Sequence, residues 1–340
     1  MVTQNPNQAD ELIYTGFNQD YSCFTLGTDS GFRIFNTYPL KYCFRRDFPG
    51  GFGIVELLYR SNIVALVGGG KSPRYPPNKV IIWDDHQMRP TGELCFRTEV
   101  KGVKLRRDRA VVLLENKIYV YSMQDLKIRD HILTAPNPKG VCALSSDNDR
   151  IILATPDREK GKIRISNYTE DRLIQITAHE TSIACLGMNP QGTILASASD
   201  KGTTIKVYNI DDGSLMQELR RGIDRASIYC LSFHPSSLWL ACSSDKGTIH
   251  IYSISQQNSA NPRSAFSFMK SILPKYFDSE CSFAQLRIKD SKSICTFGRE
   301  PNTLIVINSD GNYCVAEFNP EEGGACNIID QQQIMDLDIV

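Results

Sequence analysis

Short runs in which apolar residues alternate with polar or bulkier ones recur along the whole chain, and helical spacing is scarce between them. In "KGTTIKVYN" at 201–209, Thr204, Lys206 and Tyr208 alternate with Ile205 and Val207. Neighbouring residues of an extended chain point to opposite faces, so such a run predicts a β-strand with two distinct faces. Comparable runs are "DSGFRIFN" (29–36), "PNKVIIWD" (77–84), "ENKIYVYS" (115–122), "KGKIRIS" (160–166), "KGTIHIYS" (246–253) and "SDGNYCVAEF" (309–318), which makes seven in all. Several follow a strand of small residues, such as "TILASASD" (193–200) or "LWLACSSD" (238–245). Further upstream lie strands ending in Asn-Pro or His-Pro, "SIACLGMNPQG" (182–192) and "SIYCLSFHPSS" (227–237). Period-2 alternation with Gly/Asp turns, in units of about 40–45 residues, predicts a seven-bladed WD40-type β-propeller. The expected fold is all-β, one domain over residues 1–340. A β-sandwich or a pair of small β domains gives no reason for seven copies.

The spacing is uneven at one place. Gly161, Gly202 and Gly247 stand 41 and 45 residues apart, but Gly247 and Gly311 are 64 apart. The sixth unit therefore carries an insertion over 255–280, and a long loop in a compact domain is usually functional or disordered. It begins polar and turns apolar, with Phe266, Phe268, Met269, Ile272, Leu273, Tyr276 and Phe277 flanked by Arg263, Lys270 and Lys275. Two readings fit: shallow insertion at a charged membrane interface, or folding back on the propeller rim.

Charge narrows the field. Lys+Arg and Asp+Glu balance at 38 each, so anion binding has to be local. The eleven cysteines form no C-x-x-C pair, and "MVTQNPNQADELIYTG" lacks the basic and apolar regions of a signal peptide. Reduced, intracellular thiols and no membrane-spanning helix are expected. "ALVGGGKS" (65–72) approaches a phosphate loop, but Ala65 replaces the first glycine and prolines follow where a helix should begin. The five histidines show no metal-ligand spacing, and no G-x-S-x-G elbow occurs. Neither an enzyme, a metal nor a cofactor is expected.

Two basic clusters remain. "KGVKLRRDR" (101–109) offers Lys104, Arg106, Arg107 and Arg109 beside Asp108, and reads as a solvated turn at a blade edge or as a patch that steers toward acidic surfaces. RNA binding would need aromatic residues interleaved with the basic ones, and there are none. The second cluster is "ELRRGIDRAS" (218–227), set between the last strand of unit five and the first of unit six. Its flanking turns, "SASDKGTTIK" and "CSSDKGTIHI", are near copies that each supply hydroxyls, a glycine and a cationic or ionisable side chain. If an extended backbone sends Arg220 to one blade and Arg221 to the other, each set gains a guanidinium. Guanidinium, hydroxyls and backbone N–H together suit a phosphate monoester. Ser, Asp and His bracing ordinary WD40 turns is the competing reading.

"LRRG" at 219–222, after the fifth of seven degenerate units, resembles the F/L-R-R-G signature of the PROPPINs, the polyphosphoinositide-binding propellers called WIPI proteins in animals. "GFNQD" (16–20), "LVGGGKSPRYPPNKVIIWDD" (66–85), "KLRRDR" (104–109), "NPKG" (137–140) and "LPKYF" (273–277) look most like the shorter WIPI three/four-like subgroup. The resemblance covers nearly the whole chain. It implies a first lipid site at His179, Ser197, Ser199, Gly202, Thr203, Lys206 and Arg220, and a second at Arg221, Gly222, Ser244, Thr248 and His250. It implies recognition of phosphatidylinositol 3-phosphate and phosphatidylinositol 3,5-bisphosphate, with Phe266, Phe268, Met269, Ile272 and Leu273 inserting into the bilayer. The implied partner is an autophagy lipid-transfer protein, with Asn18, Asp20, Asp84 and Asp85 either its polar anchors or simply turn structure. A cytoplasmic monomer, peripheral on autophagosomal, endosomal and vacuolar or lysosomal membranes, completes the expectation. Lys206 departs from the usual arginine, keeping the charge but losing the bidentate fork. The rival expectation is a soluble WD40 interaction scaffold with no lipid role.

Overall fold

The alternating runs fold as strands because both faces of each are covered by neighbours, so adjacent residues enter different apolar layers. The computed structural model describes residues 10–254, 280–289 and 292–337, and every regular element among them is a strand. The strands form seven sheets, antiparallel apart from one added strand, arranged as the blades of a β-propeller. Their strands span 12–47, 52–95, 102–133, 143–177, 183–220, 228–287 and 293–333. The seven runs picked out by alternation are the third strands of the seven blades: Gly31–Asn36, Lys79–Asp84, Lys117–Ser122, Lys162–Asn167, Thr204–Asn209, Thr248–Ser253 and Asn312–Glu317. Blade six carries a fifth strand, Gly324–Ala325, parallel to its fourth, Ala284–Arg287.

Each of the seven interfaces between neighbouring blades holds one apolar cluster. Val111 and Val112 show the principle: Val112 enters the layer between blades two and three, and Val111 the layer between three and four. Closure of the ring relies on side chains. Phe24, Leu26 and Phe35 of blade one pack on Ile305, Ile307 and Tyr313 of blade seven, and the Tyr313 hydroxyl donates to the Thr37 carbonyl at 2.7 Å.

The interface between blades three and four has the smallest cluster, with six buried residues, because the inner strand of blade four is only Ala143–Leu144. Here the structure corrects the reading of "KLRRDR" as a solvated turn. Arg106 is buried, its Nη2 donates to the Asn148 carbonyl (2.8 Å), and its Nη1 donates to the carbonyls of Ser145 (3.3 Å), Asp147 and Arg150 (3.2 Å). Lys104 faces the central channel and pairs with the buried Glu56 at 3.3 Å. Arg107 and Arg109 lie over the rings of Tyr59 and Tyr168. The phosphate-loop-like stretch ends the strand Ile63–Gly68 and continues as a loop, with no helix after it.

Candidate anion site across blades five and six

Blade five packs against blade four through Leu195 and Tyr208, and along both strands that face turns polar toward one end. Two residues on from Leu195 comes Ser197, then Ser199; two residues back from Tyr208 comes Lys206, then Thr204. Ser197 pairs with Lys206, Lys206 with Glu218, and Thr204 with Arg220 across the sheet. Because side chains repeat with period two, these residues share one face. His179, just past the last strand of blade four, closes that face with its Nε2 3.0 Å from the Ser197 hydroxyl.

Blade six repeats the pattern against blade five. Leu240 and Tyr252 are apolar on the packed side, and Cys242, Ser244, His250 and Thr248 follow at the same alternate positions. His250 Nδ1 lies 3.1 Å from the Ser282 hydroxyl.

Between the two faces runs the segment holding both arginines. The Arg220 amide donates to the Glu280 carbonyl at 2.7 Å, whereas the next amide, that of Arg221, donates to the Thr203 carbonyl at 2.9 Å. Successive amides thus point in opposite directions, as extended backbone demands. Leu219 is wholly buried in the layer between the blades and fixes the register. The Arg221 side chain is buried, with Nε donating to the Gly202 carbonyl at 2.8 Å and Nη2 to that of Asp224. Gly202 sits at φ +63°, and a Cβ there would meet the Ala226 carbonyl oxygen at 1.9 Å, so only glycine fits. A Cβ on Gly222 would meet nothing within 4 Å, so the space beside Arg221 stays open.

Burial pushes both histidines down to about 4, from an ordinary 6.5, with help from the charge of Lys206 at His179 and of Arg221 at His250. Lys206 lies 3.8 Å from the Glu218 carboxylate. Above pH 6.5 both rings are neutral folded or unfolded. Between 6.5 and about 4 the unfolded chain takes up protons that the folded chain refuses, so stability falls as pH falls through that window. Urea midpoints measured from pH 7 to pH 4 should show this fall, and His179→Gln/His250→Gln should flatten it. An equal slope in the variant would place the titration elsewhere.

The expected site residues are therefore gathered at one end of two neighbouring blade faces, with two differences. Gly202, expected beside Arg220, is held by Arg221. Thr203 lies on the turn and contributes its carbonyl, while Thr204 occupies the face. Sequence reasoning missed Thr204 and Glu218; counting in twos from Ile205 and Leu219 would have found both. The residues expected to meet a partner are more divided. Asn18 is buried, its amide donating to Ser22 Oγ and the Tyr59 carbonyl and its Oδ1 accepting from the Cys23 amide. Asp84 is buried too, accepting from Asn62, Gln87 and the His86 amide. Both brace their own turns. Asp85 is held by Arg46 through two bonds of 2.7 and 2.8 Å, and Asp20 is exposed. The insertion at 255–280 lies, apart from Glu280, outside the described residues; it joins the third and fourth strands of blade six.

Residues 12–335 match the model of one family, PROPPIN. The chain belongs to the PROPPIN family. Autophagy-related protein 18e of Arabidopsis thaliana is 38% identical over 320 residues, covering 92% of this chain and 85% of that protein. Autophagy-related protein 18 of Yarrowia lipolytica is 31% identical, covering 96% and 98% respectively. Among solved structures, Kluyveromyces lactis Hsv2 with its loop 6CD complete superposes with a TM-score of 0.80 at 23% identity, over 96% of this chain and 99% of that one. The KlAtg21 propeller, solved with a coiled coil of AgAtg16, gives 0.76 at 24%, over 95% and 99%. This PROPPIN is a phosphoinositide-binding β-propeller of autophagy, a binding scaffold and not an enzyme. Among the described residues, no three His, Cys, Asp or Glu side chains are grouped to hold a metal ion, and no helix could cross a membrane.

Proposed function

We propose that this PROPPIN docks on membranes carrying phosphatidylinositol 3-phosphate or phosphatidylinositol 3,5-bisphosphate through two headgroup sites, one on each side of Leu219–Gly222. Site one is His179, Ser197, Ser199, Thr204, Lys206 and Arg220, with Gly202 and Thr203 on the adjoining turn. Site two is Arg221, Gly222, Ser244, Thr248 and His250. The observation that carries the reading is the opposed anchoring of two consecutive arginines, between blade faces that turn polar in the same register. The blade-six insertion, with Phe266, Phe268, Met269, Ile272 and Leu273, enters the bilayer as a third attachment. Exposed ion pairs are individually weak in water, but two headgroups and an apolar loop on one rigid body act at high effective concentration. The attachment is then stable and reversible.

The bound protein, a monomer, recruits an autophagy lipid-transfer protein to autophagosomal, endosomal and vacuolar or lysosomal membranes. With Asn18 and Asp84 committed to their own turns and Asp85 held by Arg46, the exposed Asp20 of blade one is the acidic group left for that contact. The KlAtg21 complex is a precedent for a propeller of this fold holding a protein partner.

Liposome flotation tests the lipid reading. Vesicles carrying either 3-phosphorylated lipid should float the protein, and vesicles with the 4-phosphate or phosphatidylserine alone should not. Flotation on every anionic vesicle would reduce the site to general electrostatics. Flotation on none would leave a soluble WD40 scaffold.

A further inference from the structure

The matching registers of blades five and six allow their two polar faces to be compared residue by residue. In blade five, Lys206 pairs with Glu218 and Thr204 with Arg220. In blade six, His250 pairs with Gln285 and Thr248 with Arg287. Gln285 is thus the counterpart of Glu218, and Arg287 of Arg220. Asp200 and Asp245 hold equivalent turn positions and do not distinguish the faces.

The charge balance differs accordingly. On blade five the Glu218 carboxylate, 3.8 Å from Lys206, offsets part of the positive charge. On blade six that position is a neutral amide, and the face has two guanidinium groups, Arg221 beneath it and Arg287 at its edge. Arg287 is exposed and has no hydrogen-bond or ion-pair partner among the described residues. It shares an open groove with Ser282 and Gln285. The Ser282 hydroxyl accepts from Gln285 at 2.8 Å and meets His250 at 3.1 Å, so one polar surface runs from His250 to Arg287.

A phosphate monoester carries close to two negative charges at neutral pH and prefers a guanidinium to an ammonium for directed bonding. Resting on the two-site reading, we propose that the sites are unequal: the blade-six site is the one that takes a headgroup bearing two phosphate monoesters, and Arg287 binds the second phosphate. The blade-five site, with its carboxylate, takes the singly phosphorylated headgroup. The same chemistry would admit a soluble inositol phosphate, so the test needs both membrane-borne and soluble ligands.

The experiment is titration of the full chain with short-chain, water-soluble phosphatidylinositol 3-phosphate and 3,5-bisphosphate, and with vesicles of each matched in total charge. Arg287→Gln should weaken the bisphosphate about five- to tenfold in both formats, as loss of one charged hydrogen-bonding group predicts, and the monophosphate by less than about twofold. Arg287→Lys should recover part of the loss. Lys289→Gln, a nearby exposed charge, should weaken both ligands alike and by less than about twofold. Glu218→Gln should tighten the monophosphate. Equal weakening of both ligands by Arg287→Gln, or no weakening of either, overturns the assignment. Wild-type binding of neither lipid, soluble or in vesicles, removes the two-site reading itself.

Discussion

Arg220→Ala/Arg221→Ala should abolish flotation on phosphatidylinositol 3-phosphate vesicles, with each single substitution weakening it about tenfold, as for a charged hydrogen-bonding group, and the pair at least a hundredfold. The pair should lose at least the sum of its parts: each single variant keeps two-point attachment through the loop and the remaining site, whereas the double variant keeps the loop alone and falls back to a weak monovalent affinity. The two arginines are not equivalent in the folded chain. Arg220 ends a strand and its side chain is partly exposed, so Arg220→Ala should leave folding almost untouched. Arg221 is buried and holds the carbonyls of Gly202 and Asp224, so Arg221→Ala also leaves polar groups unpaired and should cost about 1–3 kcal/mol of stability. Circular dichroism at the flotation temperature separates the effects. Arg221→Lys keeps the charge but cannot reach both carbonyls in the same geometry, so it should recover binding only in part. A folded double variant that floats like the wild type would end the two-site account.

Much of this arrangement was readable from the sequence, for a physical reason. Each blade's third strand is sandwiched between two apolar layers and begins at a tight turn, so its alternation, and in five of the seven blades its glycine, is imposed locally. The near identity of "SASDKGTTIK" and "CSSDKGTIHI" likewise marks two faces built alike. The misplacement of Thr203 shows the limit. Blade five has one residue more than blade six between the serine and the threonine that end its polar face, Ser199 to Thr204 against Ser244 to Thr248, and a one-residue slip exchanges the faces. Gly202 was assigned to Arg220 because it is adjacent to that set in sequence, whereas a buried guanidinium chooses the carbonyl within reach. For Asn18 and Asp84 the sequence leaves partner anchor and turn structure equally open, because turn residues are polar whether they face solvent or cap their own backbone. Nothing local separates these cases.

Arg106 is the clearest instance of a residue whose role depends on another blade, and its removal should have the largest effect on stability. Apolar packing between blades three and four is thin, and the two-residue inner strand of blade four leaves the carbonyls at 145–150 without a ladder. One guanidinium answers four of them, while its Nε donates to Asp108 at 2.7 Å. Arg106→Met keeps the stem and removes the donors. It should cost about 3 kcal/mol, because the buried Ser145 carbonyl and the part-buried carbonyls of Asp147 and Asn148 lose a charged donor together, and Asp108 keeps only Arg109. Arg106→Lys, with a single ammonium, cannot span the same set and should recover less than half. Urea unfolding gives the size of the loss, and amide hydrogen exchange gives its place: protection should fall first at 143–156 and remain at 194–209 and 239–253. Headgroup binding at site two, between blades five and six, should then survive in the variant at low temperature, whereas site one, which borrows His179 from the end of blade four, should weaken first. If Arg106→Met unfolds within about 0.5 kcal/mol of the wild type, as an ordinary surface substitution would, the ring is held at this joint by apolar packing alone.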